Sequence, residues 1–491
     1  MELKKNELYE TEIIDYTTEG AGVGRINGMT VFVPSTAVGD KGMVKILKVT
    51  KSYAFGKMET ILSPSFNRIA LDCPIFEKCG GCTFRHISYD SELTFKQKRV
   101  QDTLVRIGGI DSSIIAPIVG AAHSEGYRNK AQLPVTVNKD GKICVGFFAP
   151  RSHRVIPLES CHLQIPVFNE AIRVFVDWAN RFQVSVYDET THTGILRHLY
   201  LRYAEKTGQL MVCIVANTQE LRKSKQLVEM LRTELACLTT VVLNVNTEKT
   251  NVITGRQCHT LYGKGYITDE LCGLSFRISP LSFYQVNRTQ AETLYTLAAS
   301  YADLQPHETL LDLYCGTGTI GLTMAQKVKQ LIGVEIIPQA IEDARRNAAD
   351  NAVTNAEFIC SDAAKAAIEL KRRGIRPDCM ILDPPRKGCD SALIDTIAEM
   401  SPKRVVYVSC DPATLARDIK LFSSYGYTIV RAVPVDMFPR TPHVETVVLM
   451  SAASRRSQNE KSEWEKYGEY FMNRSVSDMM SEYSEQHDEW H

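Results

Sequence analysis

Residues 309–321 read TLLDLYCGTGTIG, a short apolar strand that runs into a glycine-rich turn ahead of a helical stretch. Four further apolar segments follow, with helical stretches between them: 330–336 (QLIGVEI), 356–362 (AEFICSD), 378–385 (DCMILDPP) and 404–410 (RVVYVSC). This alternation predicts a doubly wound α/β domain built on a parallel sheet. In such folds ligands bind outside the carboxyl ends of the strands.

The remaining sequence divides into three parts around this α/β domain, which we place at residues 281–451. Residues 1–62 hold about five short strand-like runs separated by Gly-rich turns, a pattern typical of an OB-like β-barrel. Residues 63–280 combine a Cys-rich segment, a basic helix and hairpin candidates, which predicts a mixed central domain. Residues 452–491 are rich in Glu and Ser and poor in aliphatic residues, so a disordered tail is expected.

Composition excludes several classes of protein. Lys+Arg and Asp+Glu both number 57, so any basic surface for nucleic acid must be local. No apolar run is long enough to span a bilayer, and the N-terminus lacks the apolar core of a signal peptide. We therefore expect a cytoplasmic protein with no membrane partner, and we expect a monomer.

The glycine-rich turn and the end of the second strand predict a nucleotide-like cofactor. Glycines such as Gly316 let the backbone approach a ligand closely. The second strand ends at Glu335, where a carboxylate can accept hydrogen bonds from both ribose hydroxyls. At this point, nicotinamide cofactors and S-adenosylmethionine both fit.

The fourth and fifth strands narrow the chemistry. Asp383-Pro384-Pro385 ends the fourth strand, and nitrogen methyltransferases with a similar motif place an aromatic residue next, where this chain has Arg386. The fifth strand ends at Cys410, just before a predicted helix start at Asp411-Pro412. A thiol near a helix N-terminus is expected to have its pKa lowered.

A thiolate and a base together would allow methylation of a pyrimidine carbon. C5 of uracil is a poor nucleophile, but thiolate addition to C6 moves electron density onto C5. A base must later remove the C5 proton so that the thiolate can leave. Glu445, at the start of the last predicted strand HVETVVLM, is our candidate for that base.

Six motifs together resemble the RNA uridine-C5 methyltransferase family, specifically its bacterial 23S ribosomal RNA branch. They are FYQVN (283–287), DLYCGTGTIGL (312–322), GVE (333–335), DPPRKG (383–388), VSCDPATLARD (408–418) and HVETV (443–447). The resemblance implies a seven-stranded methyltransferase sheet, Cys410 as nucleophile and Glu445 as base. It also implies S-adenosylmethionine as the cofactor, contacted by Gln285, Tyr314, Glu335 and Asp383.

The N-terminal unit is similar to the TRAM domain, on the residues EGAGVGRINGMTVFVPSTAVGD (19–40). Transfer-RNA members of the family generally lack this domain, so the similarity favours 23S ribosomal RNA as the partner. The same chemistry on a transfer-RNA uridine, a methyltransferase of another specificity, and a non-catalytic RNA-binding protein remain alternatives. Candidate RNA contacts are the barrel, the basic segment 95–106 and residues 127–130.

The chain has 14 cysteines, and one group of them resembles the iron–sulfur site of the family. The group consists of Cys73, Cys79, Cys82 and, far downstream, Cys161. Four thiolates can hold either zinc or a 4Fe-4S cluster, and this spacing is unusual for the common zinc modules. The resemblance implies the 4Fe-4S cluster, with Cys144 as an alternative to Cys161.

Overall fold

A computed structural model describes residues 2–452. The predicted tail, apart from its first residue, lies outside the described residues. Among residues 2–452, no helix combines the length and apolar character that crossing a bilayer requires.

The N-terminal strands form a closed barrel, as the turn-rich pattern predicted. Its strand order is β1-β2-β3-β5-β4. Alternate side chains point inward, so that Ile13, Val31, Val44 and Ile46 are fully buried in the barrel core. The strands are β1 (Leu8–Tyr16), β2 (Gly22–Ile26), β3 (Met29–Val33), β4 (Lys41–Val49) and β5 (Tyr53–Ser63).

The central region is built on a seven-stranded sheet of order β12-β11-β10-β9-β6-β7-β8. All its pairs are antiparallel except β10 with β11. The strands are β6 (Lys130–Val137), β7 (Ile143–Phe148), β8 (Val155–Pro157), β9 (Leu196–Ala204), β10 (Gln209–Ala216), β11 (Leu238–Val245) and β12 (Gln257–Tyr262). The helices of this region are α1 (Tyr89–Thr103), α2 (Val167–Arg181) and α3 (Ser224–Glu234).

The third part begins with a hairpin, β13 (Ile267–Leu271) and β14 (Leu274–Ile278), and continues as the α/β sheet. That sheet has seven strands in the order β17-β16-β15-β18-β19-β21-β20. Its strands are β15 (Thr309–Leu313), β16 (Gln330–Glu335), β17 (Ala356–Cys360), β18 (Cys379–Leu382), β19 (Arg404–Ser409), β20 (Tyr427–Val435) and β21 (Glu445–Ala452). The helices are α4 (Arg288–Ala302), α5 (Thr319–Met324), α6 (Pro338–Asp350), α7 (Ala363–Arg372), α8 (Ser391–Met400) and α9 (Pro412–Ser424).

Both faces of the α/β sheet are buried. Leu310 packs in a core that contains residues of α4 and α6, whereas its neighbour Leu311 packs in a core that contains residues of α7, α8 and α9. Strands covered on both faces need continuous apolar runs, which explains why strands such as β18 (CMIL) are apolar throughout. The predicted seven-stranded doubly wound sheet is confirmed.

The barrel docks against helix α1. Tyr16 at the end of β1 packs edge-on against Phe84 and Phe95, with ring centroids 5.6 and 5.5 Å away. An ion pair between Asp15 and Lys98, 2.7 Å long, adds a polar contact. Helix α1 also packs against α9 and β20, so it joins the barrel to the α/β sheet.

Candidate active site

The parallel strands of the α/β sheet end along one edge, and the predicted site residues lie on it in sheet order. Glu335 ends β16, Tyr314 follows β15, Asp383 follows β18 and Cys410 follows β19. Strand β21 runs antiparallel beside β19, so its first residue, Glu445, lies at the same edge. The topology therefore places the candidate cofactor residues on one side and the candidate nucleophile and base on the other.

Cys410 and Glu445 face each other across two adjacent strands. The last pair of this antiparallel ladder is Ser409 with Thr446, and Cys410, immediately beyond it, lies close enough to Glu445 for that carboxyl group to raise its pKa. Side chains directly opposite each other in such a ladder have Cβ atoms about 4.5–5.5 Å apart. A planar ring seated on the thiol would therefore also lie within reach of the carboxyl group.

The thiol of Cys410 is held in its protonated form. Burial, together with the nearby carboxyl groups of Glu445 and Asp383, raises its pKa to about 11, and the Arg386 guanidinium opposes this rise. The expectation that the helix N-terminus would lower this pKa is wrong for the ligand-free protein. The carboxylate of Asp411 caps helix α9 and accepts hydrogen bonds from its first N–H groups, so negative charge already occupies that end.

The pKa values of the two carboxyl groups beside the thiol, those of Glu445 and Asp383, are also raised. Glu445 is 7% exposed, and burial with the neighbouring Asp383 raises its pKa to about 8. Burial of the Asp383 carboxyl raises its pKa to about 7. A group with a pKa near the working pH can both accept and release protons, which suits acid–base chemistry.

The candidate ribose-binding carboxylate is held in place by backbone donors. Glu335 accepts hydrogen bonds from the N–H of Gly316 (3.2 Å) and from the N–H of Ile337 (3.0 Å). Tyr314, at the start of the glycine-rich turn, has a φ of 68°, a left-handed conformation that costs energy for a residue other than glycine. Such strain is common in binding turns, and here it turns the chain sharply beside the Glu335 carboxylate.

Below this turn, Asp312 braces the start of helix α5. Its Oδ2 accepts a hydrogen bond from the N–H of Gly321 at 2.9 Å. A Cβ at Gly321 would lie 2.7 Å from that oxygen, so only glycine fits there. Burial raises the pKa of Asp312 to about 8. The third glycine of the turn therefore allows close packing between the helix and the strand.

Gln285 lies in the segment that precedes helix α4. Its backbone carbonyl accepts a hydrogen bond from Asn129 of the central region at 2.9 Å. Two residues on, the Asn287 side chain donates to the carbonyl of Met437, in the loop between β20 and β21. In residues 2–452 the Gln285 side chain makes no hydrogen bond. The segment around Gln285 is therefore held near the loop between β20 and β21, but the Gln285 side chain contacts none of the other candidate site residues through a hydrogen bond.

A buried ionic cluster holds the loop between β20 and β21. The ammonium group of Lys96 on helix α1 contacts Glu92 at 2.6 Å and Asp436 at 2.7 Å, and all three side chains are fully buried. Lys96 also donates to the carbonyl of Phe438, and Glu92 accepts from the N–H of Arg440. Helix α1 thus fixes the loop that leads into β21 and to the candidate base.

Replacing Lys96 by Met should lower the free energy of unfolding by about 3–5 kcal/mol, because Glu92 and Asp436 would be left buried without a cation. The urea midpoint of unfolding measures the loss. Lys98→Met is the matched control on the same helix, and its exposed ion pair with Asp15 predicts a loss of about 1 kcal/mol or less. Equal midpoints for the two variants would contradict this account of the cluster.

Two arginine side chains lie near the sheet edge that bears Cys410, which we call the catalytic opening. Arg386 is exposed, and its charge acts on Cys410 and on His443. Arg99 of helix α1 donates to the carbonyl of Pro442 at 2.6 Å. Burial, Arg386 and Arg99 together lower the pKa of His443. We refer to Arg99, Arg386 and His443 as the cationic rim, whose positive charge comes from the two arginines, because the lowered pKa keeps His443 neutral near pH 7.

The four predicted cluster cysteines come together at a second place, in the central region. They line a cavity of about 110 Å³ between the loop after the barrel and the segment before α2. Burial and the neighbouring thiols of Cys161 and Cys79 raise the pKa of Cys82 to about 12. Cys144 lies on β7 and does not line the cavity. The lining cysteines are Cys73, Cys79, Cys82 and Cys161.

The spacing of these sulfur atoms bears on what they could hold. Within residues 2–452, the one group of metal-ligand side chains whose atoms all lie within 4.8 Å of one another is Asp72, Glu125 and His162. No three of the cluster sulfurs therefore converge that closely. A single tetrahedral zinc ion with Zn–S bonds of about 2.3 Å needs sulfurs about 3.8 Å apart.

Comparison with protein-family models assigns most of the chain. Residues 89–453 match the model described as tRNA (Uracil-5-)-methyltransferase, and residues 4–58 match the TRAM domain. The chain belongs to the uracil-5-methyltransferase family. It is thus an S-adenosylmethionine-dependent RNA methyltransferase with an N-terminal TRAM domain.

Bacterial members of the family align over most of the chain. A Clostridium tetani protein named "Uncharacterized RNA methyltransferase" is 44% identical over 449 residues, which are 91% of this chain and 97% of that protein. A Halalkalibacterium halodurans protein with a similar name is 43% identical over 448 residues, 91% of this chain and 98% of that protein.

A solved structure of the family shares the fold. It is the Pyrococcus abyssi tRNA (uracil-54, C5)-methyltransferase in complex with S-adenosyl-L-homocysteine, with a TM-score of 0.72 and 28% identity. The match covers 90% of this chain and all of that chain. The likeness supports S-adenosylmethionine as the cofactor of this family member.

Several residues at the site were missed in the sequence. Asp312 was read only as part of a strand, although its burial beside Gly321 makes it the support of the turn. Ile336 and Phe283 are 62% and 61% exposed, and they leave apolar surface next to candidate cofactor residues. An apolar residue directly after the strand-ending Glu335 was the available signal for Ile336. No sequence pattern indicated the Lys96 cluster, because Lys96 and Asp436 lie far apart in the chain.

Proposed function

We propose that this protein methylates C5 of a specific uridine in 23S ribosomal RNA, with Cys410 as covalent nucleophile and Glu445 as base. The observation that carries the proposal is the opposition of Cys410 and Glu445 on adjacent strands, next to Asp383 and the cofactor edge. A uracil ring that is methylated at C5 needs both a nucleophile at C6 and a base for the C5 proton, and Cys410 and Glu445 offer these two groups side by side.

The chemistry follows from this pairing. The Cys410 thiol loses its proton to solvent water, the resulting thiolate sulfur bonds to C6 of the uracil, and the C5–C6 π electrons move onto the C4 carbonyl as an enolate. C5 then takes the methyl group as the sulfonium–methyl bond breaks. Glu445 removes the proton from C5, the C5–C6 double bond returns, and the bond from C6 to sulfur breaks.

S-adenosylmethionine supplies an electrophilic methyl group when bound. We assign its contacts to Glu335 for the ribose hydroxyls, to Tyr314 and Asp383 at the neighbouring strand ends, and to Gln285. Glu335 is already oriented by two backbone N–H groups, which supports its role as a hydrogen-bond acceptor. The exposed Ile336 offers apolar surface to the adenine ring.

The target uridine must leave its base stack to reach Cys410. The cationic rim around the opening supports contact with RNA phosphates. The resemblance of the motifs to the 23S ribosomal RNA branch supports ribosomal RNA as the substrate. A transfer-RNA uridine is the second candidate, since the Pyrococcus abyssi relative is named for uracil-54 of tRNA and its match covers 90% of this chain.

For the central region we propose a 4Fe-4S cluster on Cys73, Cys79, Cys82 and Cys161. Four cysteines around one cavity support a metal site, and sulfurs spaced more widely than one zinc ion requires favour a cluster. Such a cluster would link the loop after the barrel to the segment before α2. Its role is structural, because methyl transfer needs no electron transfer.

Protein purified without oxygen should be brown and contain iron and acid-labile sulfide, and Cys82→Ser should lose both. Cys144→Ser is the matched control, since Cys144 lies outside the cavity, and it should retain the wild-type iron content. Elemental analysis with sulfide assay measures the result. Colourless wild-type protein with stoichiometric zinc would contradict the cluster.

The domain division also remains a proposal: 1–62 as the RNA-binding barrel, 63–280 as the central domain and 281–451 as the methyltransferase domain. We further propose that the protein acts as a monomer, since every candidate catalytic and cofactor residue lies on one chain.

RNA containing 5-fluorouridine tests the function. Fluorine at C5 cannot leave as a proton does, so the adduct with Cys410 should persist and migrate as a protein–RNA band, and peptide mapping should locate it at residue 410. A wild-type protein that forms no adduct would rule out the covalent mechanism. Mass mapping of methyluridine in RNA from a deletion strain decides between ribosomal and transfer RNA.

A further inference from the structure

Three aromatic rings cluster on the outer wall of the barrel, outside its core. The ring centroids of Phe32, Tyr53 and Phe55 lie 5.5 to 5.9 Å apart. Tyr53 is 37% exposed, and both phenylalanines are partly exposed. The barrel core is already filled by inward-facing residues such as Val31 and Ala54, so these rings are not required to close it.

The strand register surrounds these rings with cations. Phe55 pairs with Lys48 on one side and with Phe32 on the other, and Lys57 pairs with Lys45. Arg25 on β2 pairs with Thr30 on β3, and Thr30 pairs with Tyr53 on β5, so the three residues lie side by side across the strands. We call the wall formed by these residues the aromatic face. Its residues are Arg25, Thr30, Phe32, Lys45, Lys48, Tyr53, Phe55 and Lys57.

The charge of the aromatic face has one sign. Its residues are neutral or cationic, the next outward-facing residue of β5 beyond Lys57 is Glu59, and within residues 2–452 none of its four cations forms an ion pair. By contrast, Lys41 on the same strand β4 pairs with Glu12 at 3.2 Å. Exposed rings beside unpaired cations are the combination that binds single-stranded nucleic acid, because bases stack on the rings and phosphates meet the cations.

The turn between β1 and β2 connects the aromatic face with the surroundings of Cys410. The turn between β1 and β2 carries Glu19, whose charge acts on Arg99 and His443 of the cationic rim. Strand β2 leaves this turn at Gly22, and its second residue, Val23, pairs with Phe32. An RNA strand that leaves the catalytic opening along this turn and β2 would reach the aromatic face.

We propose that the aromatic face binds an unpaired segment of the substrate RNA, adjacent to the target uridine, by stacking bases on Tyr53 and Phe55. The proposal rests on the proposed function, since it takes the RNA substrate from there. It adds a requirement: the substrate must hold a single-stranded stretch beyond the methylated nucleotide, which the barrel recognises by stacking and charge.

Affinity of the full-length protein for a fluorescently labelled single-stranded RNA tests the rings. Tyr53→Ala and Phe55→Ala should each raise the Kd about 5- to 150-fold, as expected for the loss of one stacked base. The matched control is Phe66→Ala, which removes a ring that is 95% exposed and lies beyond the end of β5. It should leave the Kd unchanged.

Two further measurements keep the result independent of folding. Tyr53→Trp should restore affinity, and its emission should be quenched when RNA binds. Lys48→Gln and Lys57→Gln should each reduce the slope of log Kd against log salt concentration by about 0.7, while Lys41→Gln should not. Thermal unfolding at the wild-type temperature confirms that each variant is folded.

Unchanged affinity in Tyr53→Ala and Phe55→Ala would overturn the proposal and leave the rings as cross-strand packing only. Weaker binding to ribosomal proteins with unchanged affinity for RNA would overturn it too. If the wild type forms the fluorouridine adduct while these variants bind normally, only the aromatic face fails. If the rings bind RNA but no adduct forms, the uridine chemistry fails instead.

Discussion

Cys410→Ser should reduce methyl transfer to RNA by about 10⁴-fold or more, because an alcohol at this position is a far weaker nucleophile than a thiolate and no other group can add to C6. The measurement is transfer of a radiolabelled methyl group to RNA under single-turnover conditions. The same variant should form no adduct with fluorouridine RNA. Affinity for S-adenosylmethionine should be unchanged, because the sulfur is not among the proposed cofactor contacts.

Cys360→Ser is the control for this substitution. Cys360 ends β17 on the same sheet edge and is exposed, but it lies on the far side of Glu335 from the opening. Its activity should match the wild type. A Cys410→Ser protein that methylates RNA at the wild-type rate would end the covalent mechanism.

Glu445→Gln should lower the rate of product release by about 10²–10⁴-fold, since the amide cannot take the proton from C5. Methylated uridine should then remain bonded to Cys410, so that ordinary RNA, without fluorine, gives a stable protein–RNA band. Denaturing gels and mass spectrometry of the linked peptide measure this. Full turnover without an accumulating adduct would assign the base to another residue.

The pKa of Glu445 predicts the pH dependence of the wild type. A base with a pKa of about 8 in the free enzyme is mostly protonated at pH 6, so kcat/KM should rise steeply with pH up to about 8, and the Cys410 thiol, with a pKa of about 11, should extend the rise above that pH. The folded protein binds this proton more tightly than the unfolded chain does, so the stability contributed by the neutral group is lost as pH rises through 8. Glu445→Gln should therefore gain Tm relative to the wild type above that pH.

Much of the sheet could be predicted because each strand is marked by the apolar residues of its own short segment. Short apolar runs between helical stretches indicate parallel strands buried on both faces, and in such a sheet all carboxyl ends meet at one edge. The placement of Glu335, Asp383 and Cys410 along that edge follows from topology alone. Asp411 and Pro412 likewise marked the start of helix α9 correctly.

The electrostatics of the site depended on residues that are distant in the chain. The pKa of Cys410 was expected to fall because only the helix beside it could be seen. Its actual neighbours, Glu445 and Asp383, come from other strands, and Glu445 faces the thiol only because β21 inserts between β19 and β20. The Lys96 cluster unites helix α1 with a loop about 340 residues away, which no local pattern records.

The position of β21 has a consequence for the newly made chain. When the ribosome has synthesised the chain only as far as the start of β20, Cys410 and the glycine-rich turn are already present. Glu445, the proposed base, and Asp436, which pairs with Lys96, have not yet been made. Such an incomplete polypeptide lacks the strand beside β19 and the proposed base, so it could not complete a catalytic cycle. Because β21 supplies Glu445, the partner of Cys410, the proposed enzyme becomes active only after this last strand of the domain has been translated.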